Sequence, residues 1–176
     1  GASVQKQRIE NTISDAFEFY NNLETKYNEI GSNTVGKDIV HITVHGIPDQ
    51  LFFVHDKHTD QSNPVQSDYL CKQLEKTKQV KKLIVLIACN SETTAKKIVD
   101  GGLTKYAIGT TIDISSKAAI DFSEKFYDLL KNSPLQIESV FEETCYELNQ
   151  DKYRAKLDDG EFYDYSKVFK IFKKTT

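Results

Sequence analysis

A histidine and a cysteine draw attention because each ends an apolar segment and is followed by turn-forming residues. His45 precedes Gly46, and Cys89 precedes Asn90 and Ser91. A thiolate is a strong nucleophile, and a neighbouring imidazolium or a helix N-terminus favours the thiolate form. Such a pair can transfer an acyl group, with the imidazole first as general base and then as proton donor. This chemistry requires that the two side chains meet in the fold.

The segments that carry the two residues read as neighbouring strands. Residues 38–45 are rich in β-branched side chains, and residues 82–88 lack polar alternation, as in a central strand covered on both faces. A helix predicted over 67–79 separates them. If that helix crosses over, the strands run parallel and their carboxyl ends share one rim of the sheet. We therefore expect His45 and Cys89 to meet at that rim.

Backbone amides complete the expected site. The N–H groups of Gly46 and Cys89 can stabilise the oxyanion of an acyl intermediate. Glycine lets the backbone approach a substrate carbonyl closely. A cysteine that ends a strand is also often a packing residue, and a single histidine is often a surface or core residue. The residues alone therefore leave both the catalytic and the packing interpretation open.

The remaining pattern predicts an α/β fold. Strands alternate with helices, which favours a mainly parallel sheet with right-handed crossovers. No linker or repeat divides the chain, so we expect one domain over 1–176. Further predicted elements are helices over 3–30 (amphipathic and N-terminal), 90–99, 115–130 and 133–148, short strands over 51–54, 106–110 and 168–172, and a polar surface loop over 55–64.

Composition narrows the classes of partner. The 176 residues carry a net charge of −3, with lysine and arginine scattered along the chain. Because phosphate-binding surfaces cluster positive charge, nucleic acid is not expected as a partner. No apolar run approaches the ~20 residues that cross a bilayer, so no membrane partner is expected either. Residues 1–10 show no apolar signal-peptide core.

The cysteines predict no disulfide framework and no zinc site. Cys71, Cys89 and Cys145 are few and widely spaced. An odd number without a secretory signal predicts a reducing, cytoplasmic setting. Cys71 and Cys145 fall on apolar helical faces, which predicts inert packing. The segment 55–58 contains two histidines and an aspartate but no further ligands, so we expect neither a metal nor a cofactor.

The two candidate segments resemble those of CHAT domains, caspase-like proteases related to caspases and separase. The segment 41–46 is similar to their His-x-x-x-His-Gly motif, and residues 83–91 are similar to their apolar strand ending in Ala-Cys-x-Ser. The resemblance spans roughly 38–145 in the family's order. It continues through Ala95, Gly101, Gly102, Ala107, Ile108, Gly109, Asp113, Ala119, Phe122, Phe126 and Tyr127.

This resemblance implies a caspase–hemoglobinase fold, a three-layer α/β/α sandwich with a mainly parallel central sheet. It implies a cysteine-type endopeptidase, a thiol protease that hydrolyses a protein or peptide without a metal. His45 matches the catalytic histidine and Cys89 the nucleophile, while His41 matches a hydrogen-bonded histidine within the strand. Asp113 matches an acid that faces a basic P1 side chain, although a role at the entry of the helix after Ser115 fits equally well. CHAT-like domains are often switched on by a sensor or partner protein, in bacterial defence among other settings.

The sequence departs from the CHAT pattern at two points, and alternatives to the protease interpretation therefore stay open. The family usually has a strand before its first helix, and none is predicted here. Ile87 is apolar where the family often has a polar residue in the P1 pocket. The missing strand makes a catalytically inactive caspase-like scaffold the alternative, while the apolar Ile87 leaves the choice of P1 residue open. A nucleotide-binding domain fits less well, because Gly46 is followed by Ile47 and by Pro48, which cannot donate a backbone N–H to a phosphate.

Overall fold

The computed structural model describes residues 29–54 and 62–175. Most of the helix predicted over 3–30, together with the histidine-containing segment 55–58, lies outside the described residues. The chain divides into two compact units. The described part of one unit is Ile114–Phe169. The described part of the other unit comprises the residues up to Asp113 and those from Lys170 onward. The single domain over 1–176 stays a prediction.

The elements alternate along the chain as an α/β fold requires. The strands are β1 (Ile39–Thr43), β2 (His45–Ile47), β3 (Gln50–Val54), β4 (Ser62–Gln66), β5 (Lys81–Ile87), β6 (Thr104–Thr110) and β7 (Phe169–Lys173). The helices are α1 (Ile30–Asn33), α2 (Ser67–Glu75), α3 (Glu92–Asp100), α4 (Ser116–Leu130), α5 (Ile137–Gln150) and α6 (Tyr165–Val168).

The main sheet has the strand order β1-β5-β6-β7. Strand β5 pairs in parallel with β1 on one side and with β6 on the other. Its residues from Leu83 to Ile87 are at most 2% exposed, which confirms a central strand buried on both faces. The predicted α/β class with a mainly parallel sheet is therefore confirmed. No helix in the described ranges is long and apolar enough to cross a membrane.

One face of this sheet builds the core of the larger unit. The parallel register aligns Val40 with Ile84 and Ile42 with Leu86, so these side chains share a face. Helices α2 and α3 add Leu70, Leu74, Ala95 and Ile98 to the same buried cluster. Full burial of each valine, leucine or isoleucine side chain among them stabilises the fold by about 1.5–3 kcal/mol. The core thus fixes β1 and β5 side by side, with their carboxyl ends together.

The prediction of one strand through His45 is wrong. Strand β1 ends at Thr43, and the N–H of Val44 donates to the carbonyl of Ile87 at 3.3 Å. His45 then begins β2, which pairs antiparallel with β3 in a separate sheet of order β2-β3-β4. Part of the predicted 55–64 loop also differs, because residues 62–64 belong to β4. His45 consequently lies in a hairpin rather than at the end of the main sheet strand.

The unit Ile114–Phe169 is helical with an aromatic core. The ring of Phe122 stacks on Phe169 at 3.8 Å and on Phe126 at 5.6 Å between centroids. Ser115 caps α4, since its side chain accepts a hydrogen bond from the N–H of Ala118. The predicted helix start at residue 133 is wrong: residues 133–136 form a turn, and α5 begins at Ile137.

Candidate active site

Gly46 lies directly against the backbone of Cys89. A Cβ atom at position 46 would be 2.6 Å from the carbonyl oxygen of Cys89 and 3.4 Å from its nitrogen. It would also be 3.2 Å from the Cβ of Ala88. Only glycine fits such a contact without a shift of the backbone. The structure therefore brings the segment of His45 and Gly46 together with Cys89, although the two segments belong to different sheets.

The two candidate catalytic side chains differ in exposure. His45 is exposed at the start of β2, whereas Cys89 is partly buried in the loop after β5. The three cysteines, all of which the structure describes, form no disulfide. The catalytic roles of His45 and Cys89, and the oxyanion roles of Gly46 and Cys89, stay predictions.

The loop that carries Cys89 has a sharply turned backbone. Asn90 has a φ of 53°, in the left-handed region that asparagine enters more readily than most residues. Ser91 holds the position just before α3, and its carbonyl accepts the N–H of Ala95 at 2.9 Å. Helix α3 thus begins at Glu92, shortly after the cysteine.

Ser91 holds the N-cap position of α3, but its side chain makes no capping hydrogen bond. Its hydroxyl donates to the carbonyl of Leu86 at 3.1 Å and accepts the N–H of Thr110 at 3.0 Å. The hydroxyl of Thr110 donates in turn to the carbonyl of Ala88. The buried serine therefore ties the loop after β5 to the end of β6. No pattern in the sequence signals this contact, because its partners are distant along the chain.

Asp113 lies next to the same loop. The side-chain amide of Asn90 donates to Oδ1 of Asp113 at 2.7 Å, and the backbone N–H of Asn90 donates to the carbonyl of Ile112 at 3.2 Å. Asp113 itself is exposed. Because β5 lies between β1 and β6, Cys89 has the His45 segment on one side and Asp113 on the other. A role of Asp113 in substrate binding stays a prediction.

His41, the histidine within β1, is hydrogen-bonded and partly buried. The Nε2 atom of His41 is 2.9 Å from the hydroxyl oxygen of Thr43. Burial against the protein lowers the pKa of His41 to about 4, so its ring is neutral at physiological pH. This position agrees with the interpretation of His41 as a hydrogen-bonded histidine within the strand.

The other two cysteines, unlike Cys89, lie in helices. Cys71 is partly buried in α2, where burial is the largest cause that raises the pKa of its thiol, followed by the charges of Asp68 and Glu75. Cys145 is 3% exposed in α5. A raised pKa and burial both reduce thiolate reactivity. These positions agree with inert packing and leave Cys89 as the candidate nucleophile.

A salt bridge from α3 holds the hairpin that begins at His45, and no pattern in the sequence predicted it. Nζ of Lys97 in α3 is 2.8 Å from Asp49 and 3.2 Å from Asp68. Asp49 lies in the turn between β2 and β3 with a φ of 66°, and its carbonyl accepts hydrogen bonds from the N–H and hydroxyl of Ser67. The hydrogen bond from Lys97, with a further one from Ser67, lowers the pKa of the Asp49 carboxyl. The helix after Cys89 is thereby linked to the hairpin after His45.

Comparison with known proteins supports a shared fold. No protein-family model matches the chain. Among solved structures, the fold is similar to that of a secreted C11 cysteine protease from Bacteroides thetaiotaomicron in complex with an irreversible peptide inhibitor. The TM-score is 0.62 at 12% sequence identity, over 98% of this chain and 61% of that chain. This chain therefore spans less than two thirds of that protease.

This likeness confirms the caspase-like α/β fold. It does not distinguish CHAT domains from other caspase-like proteins, so the CHAT assignment stays a prediction. Because that protease is secreted, the cytoplasmic location predicted from the cysteines also stays a prediction. Within residues 29–54 and 62–175, no group of three or more histidine, cysteine or acidic side chains is arranged to hold a metal ion.

Proposed function

We propose that the chain is a cysteine endopeptidase in which Cys89 is the nucleophile and His45 the general base. The observation that carries this proposal is the close approach of Gly46 to the backbone of Cys89. It brings the backbone next to His45 against the residue that bears the thiol. The fold shared with a cysteine protease supports the same reaction class by analogy.

The proposed reaction has two acyl-transfer steps. The sulfur of Cys89 attacks the carbonyl carbon of the scissile peptide bond while His45 accepts the thiol proton. His45 then donates that proton to the departing amine, and an acyl-enzyme thioester remains. A water molecule, deprotonated by His45, attacks the thioester, and the thiol leaves with the proton returned. The net reaction is hydrolysis of one peptide bond.

The hairpin register supports Gly46 as an oxyanion-hole donor. The two-residue turn at Pro48 and Asp49 makes Ile47 and Gln50 the hydrogen-bonded pair that closes the hairpin. Pairs alternate along antiparallel strands, so the next pair, Gly46 with Leu51, is not hydrogen-bonded. The N–H of Gly46 then points away from β3. Together with the N–H of Cys89, it can donate to the oxyanion.

The proposal extends to substrate and regulation. Asp113, exposed beside the Cys89 loop, suits a substrate with Arg or Lys before the scissile bond, since an ionised carboxylate pairs with these cations. The resemblance to CHAT domains supports a protein substrate and control by a sensor protein or domain, with bacterial defence as one setting.

The test combines an active-site probe with a peptide-library screen. An acyloxymethyl ketone peptide is expected to form its adduct on Cys89, located by mass spectrometry. Cys89→Ala should abolish library cleavage, and His45→Ala should reduce it by about a thousandfold or more. Cys71→Ala is the matched control and should retain both the labelling of Cys89 and the cleavage of the library.

The outcomes separate the two candidate functions. Cleavage that survives in Cys89→Ala, or adducts confined to Cys71 and Cys145, would contradict the proposed nucleophile. Neither cleavage nor an adduct on Cys89, in a folded sample with and without a cell extract as a source of activator, would favour the inactive scaffold.

A further inference from the structure

The end of β6 and the segment that follows it are hydrogen-bonded to the Cys89 loop. The N–H and the hydroxyl of Thr110 bond to Ser91 and to the carbonyl of Ala88, as described above. Asn90 supplies two further bonds, to the carbonyl of Ile112 and to the carboxylate of Asp113. One residue, directly after the candidate nucleophile, thus fixes both the backbone before Asp113 and the Asp113 side chain.

The backbone of Asn90 explains how one residue makes both bonds. Its φ of 53° belongs to the left-handed region, which only glycine and, less readily, asparagine and aspartate adopt at low cost. Glycine has no side chain to donate, and aspartate would repel the carboxylate of Asp113. Asparagine therefore combines the required backbone conformation with an N–H donor. The orientation of the amide is also fixed chemically, because a carboxylate only accepts hydrogen bonds from the amide nitrogen.

We propose that Asn90 is a specificity-positioning residue, which holds the Asp113 carboxylate beside Cys89 so that it binds the cationic side chain preceding the scissile bond. This inference rests on the proposed endopeptidase function. Asn90 acts through Asp113 and does not itself take part in bond breaking. Its hydrogen bond restricts the rotation of an exposed carboxylate, so that less freedom is lost when a cation binds.

The chemistry of the carboxylate permits both interactions at once. An ionised carboxylate can accept about four hydrogen bonds, so the amide of Asn90 and an incoming guanidinium can share it. A guanidinium binds a correctly oriented carboxylate through two parallel N–H bonds, and orientation matters more for it than for a single ammonium. Loss of Asn90 should therefore weaken recognition of arginine more than that of lysine.

The test compares two peptide acyloxymethyl ketones that differ only at P1, one with arginine and one with its neutral analogue citrulline. The readout is the ratio of the second-order rates at which they label Cys89. Asn90→Gly keeps access to positive φ and removes only the side-chain donor. We expect it to lower the arginine-to-citrulline ratio by about tenfold, the effect of one hydrogen bond to a charged group. Asp113→Asn should bring the ratio to about one, since the partner charge is gone.

A double mutant separates positioning from a general structural effect. In the Asp113→Asn background, Asn90→Gly should leave the ratio unchanged, because the residue has lost the group that it positions. A ratio that falls equally in both backgrounds, or that does not change in Asn90→Gly, would overturn the inference. An equal loss of rate for both probes would overturn it too, since that result indicates damage to the nucleophile loop alone.

A binding experiment keeps this inference distinct from the proposed function. Benzamidine, a small amidine cation, is titrated into the ¹⁵N-labelled protein while the side-chain amide signal of Asn90 is followed by NMR. We expect a saturable shift in the wild type and none in Asp113→Asn. If neither ketone labels Cys89 but this shift is seen, the endopeptidase function fails and the cation site stands. If Cys89 is labelled but the shift is absent and the ratio is unaffected by Asn90→Gly, the cation site fails and the endopeptidase stands.

Discussion

The carbonyl oxygen of Cys89 faces Gly46 so closely that a side chain at position 46 would stand 2.6 Å from it. This contact joins two sheets: β2, in which Gly46 lies, and the main sheet, whose central strand β5 leads into Cys89. A carbonyl oxygen of the backbone cannot rotate away as a flexible side chain can. The spacing between the histidine and cysteine segments therefore depends on the absence of a Cβ atom at position 46.

Gly46→Ala is expected to destabilise the protein by about 1–3 kcal/mol, because an added methyl group must displace the backbone of Cys89. Urea unfolding measures the loss. Gly101→Ala is the control: residue 101 has a helical φ of −71°, and its added Cβ would lie 3.2 Å from the carbonyl of Lys97. The control should change stability by less than about 1 kcal/mol. A Gly46→Ala protein as stable as the wild type would show that the two segments separate easily.

Ser91→Ala should destabilise the protein by about 1–3 kcal/mol, since it leaves the N–H of Thr110 and the carbonyl of Leu86 without the serine hydroxyl in a buried site. Ser91 is 1% exposed, so water cannot readily replace the hydroxyl. Urea midpoints give the measurement. Ser116→Ala, at the exposed first position of α4, should shift stability by no more than about 0.5 kcal/mol. Equal effects of the two substitutions would mean that the buried bonds contribute nothing.

The sequence predicts those parts of the fold that local pattern determines. The uninterrupted apolar run of β5 could only suit a strand buried on both faces, and the crossover through α2 then placed its carboxyl end beside that of β1. The passage of the chain at Val44 from the main sheet into the second sheet could not be predicted in the same way. The β-branched run continues to His45, and only pairing with Phe52, seven residues further along the chain, draws His45 into the second sheet.

The finer arrangement of the site depends on contacts between distant residues. Ser91 fits the pattern of a helix cap, yet its hydroxyl is occupied by Leu86 and Thr110. The bond of Asn90 to Asp113 joins residues 23 positions apart, and neither residue type alone indicates it. The position of such side chains follows from the folded sheet, so a sequence pattern can nominate the residues but not their partners.

The stability of the protein should depend on pH through His41. Burial lowers the pKa of His41 to about 4, whereas the ordinary value is 6.5. Between these values the unfolded chain binds a proton that the folded protein excludes, so stability falls as the pH is lowered from 6.5 towards 4. Above pH 6.5 the ring of His41 is neutral in both the folded and the unfolded chain, so it causes no loss of stability. His41→Gln should flatten this part of the curve, as measured by urea midpoints at pH 7.5, 6 and 5.

An NMR titration gives an independent check on the same group. The ring signals of His41 should stay constant down to about pH 5 and move only below it. A ring that titrates near 6.5, together with the same pH slope in the wild type and in His41→Gln, would contradict the assignment of the acid sensitivity to this residue.

Lys97→Met should loosen the hairpin that begins at His45. Lys97 joins α3 to Asp49 in the hairpin turn, and methionine keeps the apolar stem while removing the charge. Because ion pairs at the surface are individually weak, we expect amides of β2 and β3 to exchange about two- to fivefold faster, with little change in overall stability. Hydrogen exchange followed by mass spectrometry measures the rates.

The neighbouring residue supplies the control for Lys97. Lys96 pairs with Asp100 within α3 at 2.6 Å, so Lys96→Met removes a surface ion pair that does not reach the hairpin. The hydrogen bond from Lys97 lowers the pKa of Asp49, and this stabilisation is present above the ordinary value of 3.8 and lost as the pH falls through the lowered value. The difference between wild type and Lys97→Met should therefore persist at pH 5 and disappear in stronger acid. Faster exchange of the hairpin in Lys96→Met as well would instead indicate a general effect of charge on α3, and Lys97 would lose its role as the anchor of the His45 segment.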